Sequence, residues 1–252
     1  MENGKHTKFI LTPIFEILKD CVNATKGIST GIETYPLCDY IMQTTFLKMT
    51  GASEQKLKCI LWEIATNDFD FRYEFLKPQT SYGECSCLDD KKKVFKALKT
   101  QVKVLNSDKE YLKKIFDDKT KTKIQDRASQ EIIDLFEHSI VSIWQGNQFR
   151  YFKNNSKSFL KNQFCTIQKI KEELNVSLIE KGINYNTIVW RHRNRCAHNL
   201  KSYQINLPDL STLVNKDYDY ENYFFRFSVL ILLDEIFMKL YSEYLDLLSI
   251  DI

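Results

Sequence analysis

The sequence predicts an all-α protein. Apolar residues recur at three- and four-residue steps through most of the chain, which is the spacing of a helix with one buried face. Glycine and proline occur only seven and four times in 252 residues, so helices can run long, and no strand–helix alternation is present. With 43% hydrophobic and 13% aromatic residues, the chain can bury a sizeable core. We therefore expect a helical bundle.

Apolar periodicity and capping residues predict where the individual helices lie. The predicted helices cover residues 8–25, 35–49, 54–66, 91–104, 126–145, 157–181 and 219–248. A shorter helix is expected to open at a capping box of Ser107 and Glu110, and another begins near Thr187. A turn is expected at 50–54. Gly146 should end the helix that is predicted over residues 126–145. The last helix is apolar on nearly every side, so it should be central or lie in a dimer interface.

The charges are unevenly distributed along the chain. The net charge is +3, yet residues 149–171 hold six basic side chains and no acid, whereas acids outnumber bases from Asp209 onward. A basic segment of this kind can follow a phosphate backbone. Its aromatic residues either stack on unpaired bases or belong to the core. We single out Lys153, Lys157 and Lys161 as candidate RNA contacts.

Several classes of protein are disfavoured by composition. Seven scattered cysteines, an odd number without a signal-like start, predict a cytoplasmic protein rather than a disulfide framework. The strongest apolar run, Phe227–Leu233, is far shorter than the roughly 20 residues of a spanning helix. Cys85 and Cys87 are the only close cysteine pair, and no carboxylates and histidines share a metal-ligand spacing. We therefore expect neither a membrane span nor a metal or other cofactor.

The segment from Arg193 to His198, Arg-Asn-Arg-Cys-Ala-His, is the strongest functional signal. Arginine binds phosphate through paired hydrogen bonds, and histidine exchanges protons near neutral pH. The spacing Arg-polar-x-x-x-His resembles the motif of the HEPN superfamily of all-α ribonucleases, and the long helix after it fits that family. The resemblance covers about the C-terminal half of the chain. It implies a HEPN-type bundle over residues 106–252, with residues 1–105 as an additional helical layer of the same fold or a regulatory region.

The resemblance also implies a reaction. A HEPN nuclease cleaves RNA without a metal through attack of the 2′-hydroxyl, leaving a 2′,3′-cyclic phosphate and a 5′-hydroxyl. His198 would be the general acid or base, Arg193 would neutralise the developing phosphate charge, and Asn194 would orient either group. Arg191 and Arg195 would hold flanking phosphates, while we expect His192 to face solvent. Phage defence or toxin activity, with an activator or antitoxin protein as partner, is typical of this class.

The motif spacing raises a geometric problem. In a regular helix, residues five apart are separated by about 140° around the axis, which is too far to share one phosphate. Either the motif lies partly outside regular helix, or two copies of the chain combine their residues around a two-fold axis. The resemblance favours a homodimer, and the last helix is one candidate for its contact. The alternative function is a HEPN-like helical module that binds RNA or a protein without cutting.

Overall fold

The chain folds into helices packed around one core. The computed structural model describes residues 4–77, 82–106, 108, 110–163, 185–198 and 222–250, and all regular secondary structure within these ranges is helical. The α-helices are α1 (Thr7–Leu11), α2 (Glu16–Ala24), α3 (Tyr35–Asn67), α4 (Phe69–Phe75), α5 (Leu88–Leu105), α6 (Tyr111–Ile115), α7 (Asp118–Asp126), α8 (Ile132–Phe136), α9 (Ile140–Trp144), α10 (Gly146–Gln163), α11 (Arg191–His198) and α12 (Tyr223–Ile250). A 3₁₀ turn spans Ile32–Thr34, and π-helical turns span Arg127–Glu131 and Asn186–Trp190. The all-α prediction is confirmed.

Helix α12 forms the centre of the bundle. Every residue from Tyr223 to Asp234 is buried, and the helix packs against α3, α5 and α10. Its apolar residues point in all directions because neighbours cover it on several sides. The predicted central position is confirmed. The proposed role of this helix as a dimer contact stays a prediction.

Helix α3 is one continuous helix of 33 residues. The predicted turn at 50–54 is wrong. The Thr50 hydroxyl donates to the Leu47 carbonyl at 2.9 Å inside the helix, and Ser53 is buried instead of capping a new one. Burial of apolar residues on both sides of Gly51 outweighs the roughly 1 kcal/mol that glycine costs a helix.

Two other predicted helices are broken in the structure. The helix expected over residues 8–25 is divided into α1 and α2 around Pro13, because proline lacks the amide hydrogen that a continuing helix needs. The helix expected over 126–145 contains a π turn and then stops at His138, whose φ of +69° is incompatible with a right-handed helix. The predicted helix end at residue 145 is confirmed to within one residue, since α9 ends at Trp144, and Gly146 itself is the first residue of α10.

The remaining helix predictions divide into confirmed and undescribed ones. Helix α5 matches the prediction for 91–104, and α12 matches that for 219–248. Residues 67–73, which fit either a strand or a helix, form most of α4, where the Asp68 side chain accepts from the Phe71 amide at 2.9 Å. The predicted helix 157–181 is described only to Gln163, as the end of α10. The Ser107 cap and residues 164–181 lie outside the described residues.

The core does not stop at residue 105. A single hydrophobic cluster extends from Ile10 to Leu247, and α3 and α5 from the N-terminal part both pack on α12 from the C-terminal part. The two predicted regions, 1–105 and 106–252, therefore share one interior. A regulatory role for residues 1–105 stays a prediction.

A buried ion pair ties the N-terminal helices to α12. Lys56 Nζ donates to Asp234 Oδ1 at 2.6 Å, and the Ile14 amide donates to Asp234 Oδ2 at 2.9 Å. Burial lowers the pKa of Lys56 and raises the pKa of Asp234, because both charges have lost water. The contact fixes α1, α2 and α3 in register with the central helix.

No helix in the described ranges is both long enough and apolar enough to cross a membrane.

Candidate functional site

The motif lies on α11, a short helix held by contacts on both of its sides. Ile188 and Val189 in the preceding π turn are buried, and the Ile188 carbonyl accepts from Nε of the buried Arg226 of α12 at 3.1 Å. On the other side of the π turn, the Asn186 side chain accepts from the Leu88 amide at the start of α5, at 3.2 Å. Helix α11 itself packs on α3. The motif backbone is thus positioned by α3, α5 and α12.

Arg193 is half-buried and is held by two acceptors. Its Nη2 donates to Glu54 Oε2 of α3 at 3.2 Å, and its Nη1 donates to Asn194 Oδ1 at 3.2 Å. The Arg193 side chain keeps 27% of its surface exposed, and Glu54 keeps 14%. Arg193 is therefore neither a core residue nor a freely solvated one. The predicted orienting role of Asn194 has a contact to act through.

His198 is the last residue of α11, and its side chain lies outside the described part of the chain. All six motif positions from Arg193 to His198 fall within regular α-helix. The first of the two geometric alternatives, a motif partly outside regular helix, is therefore wrong. With about 100° per residue, the Arg193 and His198 positions stand about 140° apart on the helix.

His192 faces the protein interior, and the expectation that it faces solvent is wrong. Its ring packs against Phe46 of α3 and Tyr223 of α12, with centroids 5.1 Å and 5.2 Å away. Nη2 of Arg195 lies 3.1 Å from His192 Nδ1; arginine can only donate, so Nδ1 accepts and the ring proton is on Nε2. Nε2 in turn lies 3.0 Å from the Tyr223 hydroxyl and 3.4 Å from Cys196 Sγ.

These surroundings keep His192 uncharged. Burial, followed by the positive charges of Arg226 and Arg195, lowers the pKa of His192 to about 2. A protonated ring would also place an N–H against the Arg195 guanidinium. His192 therefore cannot exchange protons near neutral pH.

The two predicted flanking arginines differ in their surroundings. Arg191 is exposed at the start of α11, where a phosphate can reach it. Arg195 is half-buried and donates inward to His192. Arg191 is the better placed of the two for contact with a ligand.

The predicted lysines share one face of α10. Lys153, Lys157 and Lys161 are exposed at four-residue steps, with Arg150 also exposed one turn before them. Lys153 pairs with Glu137. We call these four residues the α10 basic face.

The aromatic residues between these lysines belong to the core and cannot stack on bases. Phe149 and Phe152 are buried, and their rings lie 5.1 Å from Phe224 and 5.0 Å from Phe225 of α12. The ring of Phe159 lies 4.5 Å from that of Phe225. RNA contact at α10 would therefore be made through phosphates alone.

Sequence reasoning missed two groups at the motif. Glu54 contacts Arg193 across 139 positions of sequence, and Tyr223 contacts His192 across 31. Neither belongs to a spacing pattern with the motif, so no signal in a single sequence identifies them.

The described residues offer few other groups that could bind a metal ion or react. No group of three or more histidine, cysteine, aspartate or glutamate side chains there is arranged to hold a metal ion. The six described cysteines are free thiols.

Comparison with protein-family models, with curated proteins and with solved structures finds no match to this chain. The fold class and the site geometry therefore stand on this chain alone.

Proposed function

We propose that this protein is a metal-independent endoribonuclease of HEPN type. The observation that supports this best is the placement of the motif: Arg193, Asn194 and His198 lie on one short helix at the edge of an all-helical bundle. Arg193 is anchored by two acceptors and still partly accessible. This arrangement suits a group that must bind a phosphate in a fixed orientation.

The proposed reaction uses the 2′-hydroxyl of the RNA as nucleophile. A bond forms between the 2′ oxygen and phosphorus while the bond from phosphorus to the 5′ oxygen breaks. One proton must leave the 2′-hydroxyl and one must reach the departing 5′ oxygen. Arg193 neutralises charge on the pentacoordinate phosphate, and His198 carries one of the two protons.

Two copies of the chain would complete this chemistry. His192 stays uncharged near neutral pH, so it cannot serve as a second proton carrier, and the other proton is exchanged with water. Because the motif is regular helix, Arg193 and His198 of one chain diverge by about 140°. A two-fold dimer with facing α11 helices would set Arg193 of one copy beside His198 of the other and so form two such pairs.

The second candidate function, RNA binding without cleavage, is favoured by the α10 basic face. Four exposed cations along about three turns of one helix fit a phosphate backbone without base readout. In the nuclease, the same face would hold RNA that extends from the scissile site. Cleavage therefore has to be tested separately from binding.

The test incubates purified protein with total RNA in EDTA and identifies the new ends. We expect 2′,3′-cyclic phosphate ends, intact DNA of matched sequence, and a loss of at least about 100-fold in rate for His198→Ala. His138→Asn is the matched control, because His138 is exposed in the turn between α8 and α9 and asparagine tolerates its positive φ. A folded His198→Ala variant that cuts at the wild-type rate rules out the proposal. Intact RNA with a mobility shift supports the binding module instead.

A further inference from the structure

Glu54 is the carboxylate that meets the motif arginine. It lies on α3, in the N-terminal part of the chain, and its Oε2 accepts from Arg193 Nη2 at 3.2 Å. With only 14% of its surface exposed, the Glu54 side chain is more enclosed than that of Arg193. Its position is therefore defined by the α3 scaffold rather than by solvent.

A buried cation lies behind Glu54. Lys91 of α5 is fully buried, and its Nζ donates to the Cys85 carbonyl at 2.9 Å and lies 3.4 Å from Oγ of Ser53, the residue before Glu54. Burial lowers the pKa of Lys91 to about 8, and among the opposing charges that of Glu54 is the largest. Glu54 thus interacts with the cations of both Lys91 and Arg193.

We propose that Glu54 is a positioning residue for the motif arginine: it fixes the Arg193 guanidinium in the orientation in which the guanidinium receives a phosphate. This inference rests on the proposed ribonuclease function and assigns a residue of the N-terminal helices to its site. Glu54 touches no substrate in this role and acts through Arg193.

The geometry favours positioning over competition with the substrate. A carboxylate that occupied the phosphate-binding edge would engage two parallel N–H groups, as bidentate pairs do. Glu54 Oε2 instead accepts from Nη2 alone, while Asn194 accepts from Nη1. Together these contacts use two of the five N–H donors of a guanidinium. Arg193 is held from two sides and keeps donor capacity for a phosphate.

The test compares Glu54→Gln with wild type in both cleavage and binding. Glutamine keeps the shape but removes the charge that holds Arg193. We expect kcat to fall about 10- to 100-fold, the size of effect that misplacement of a transition-state group produces. Affinity for a 2′-O-methyl RNA, which cannot be cleaved, should stay equal or rise because a negative charge near the phosphate is gone. Gln55→Ala, at the exposed neighbouring position, is the control and should change neither quantity.

Each other outcome overturns the proposal. Faster cleavage by Glu54→Gln means that the carboxylate competes with substrate, and unchanged cleavage means that it has no role. A parallel loss of binding and cleavage means general damage to the site. Glu54→Asp keeps the negative charge but moves it back by one methylene, so we expect a smaller fall in kcat than for Glu54→Gln. If Glu54→Gln does not fold, Glu54→Asp is tested in its place.

A second readout is independent of activity. Nitrogen-15 NMR of the guanidinium groups, with Arg193 assigned through Arg193→Lys, should show slow rotation of Arg193 in wild type and fast rotation in Glu54→Gln. If wild type does not cut RNA, the proposed function fails while this signal still decides whether Glu54 fixes Arg193. Equal rotation in both proteins overturns the positioning role.

Discussion

His192 differs in kind from the histidine that the motif assigns to proton transfer. It is enclosed by aromatic rings from α3 and α12 and accepts a hydrogen bond from Arg195. Of two histidines six positions apart in sequence, His192 anchors α11 to the core, and the proposed proton carrier is His198, the last residue of α11. From sequence alone the two were distinguished only by the motif spacing.

The buried state of His192 has a consequence for stability against acid. The folded pKa of about 2 lies below the unfolded value of about 6.5, so the unfolded chain binds one more proton between them. The stabilisation is complete above about pH 6.5 and is lost as the pH falls. From pH 7 to pH 5 the free energy of unfolding should drop by about 2 kcal/mol on account of this one residue.

Urea unfolding of wild type and His192→Gln at a series of pH values measures this contribution. The variant should be less stable at pH 7 because it loses packing, but its free energy of unfolding should change less with pH. Carboxylates titrate alike in both proteins and cancel in the difference. Parallel pH profiles for the two proteins would mean that folding leaves the pKa of His192 unchanged, which would contradict the prediction.

At the scale of helices, the sequence located the apolar segments better than their ends. Amphipathic periodicity identified α5 and α12 because burial of a continuous face determines them. Gly51 was expected to interrupt a helix and does not, while His138 interrupts one without any local signal. Tertiary packing decides whether a helix continues through a weak position, and a single sequence does not contain that packing.

The α10 basic face should determine how strongly RNA affinity depends on salt. For single-stranded RNA, each phosphate contact contributes about −0.7 to the slope of log affinity against log salt concentration. Replacing Lys157 and Lys161 with alanine should therefore lower the slope of log affinity against log salt by about 1.4, with no change in sequence preference. The measurement is a fluorescence-anisotropy titration at several salt concentrations.

Lys96 and Lys103 provide the matched control for this experiment. Both are exposed lysines on α5, so their replacement removes the same charge from another helix. The control pair should leave the slope unchanged. Equal changes for the two pairs would mean that RNA responds to net charge rather than to the α10 basic face.

At the scale of the whole molecule, the fold class could be predicted from the sequence, but the contacts that surround Arg193 could not. All-helical architecture and a central last helix are properties of hydrophobic patterning. The contact between Glu54 and Arg193 joins positions 139 residues apart, and the burial of α12 depends on the helices α3, α5 and α10 that cover it. Both are consequences of packing between distant segments. The single core also makes the N-terminal helices part of the motif's surroundings rather than a separable layer.

The central claim is that Arg193 and His198 of different copies act on one phosphate, and subunit complementation tests it most directly. Arg193→Ala and His198→Ala are each expected to be inactive alone. After the two are mixed and allowed to exchange, half of the dimers are mixed and each holds one intact pair, so RNA cleavage in EDTA should recover to about one quarter of wild type. A mixture of Arg193→Ala with the double variant should stay inactive. If mixed dimers form and remain inactive while wild type cuts RNA, the two residues do not act across copies and the account is contradicted.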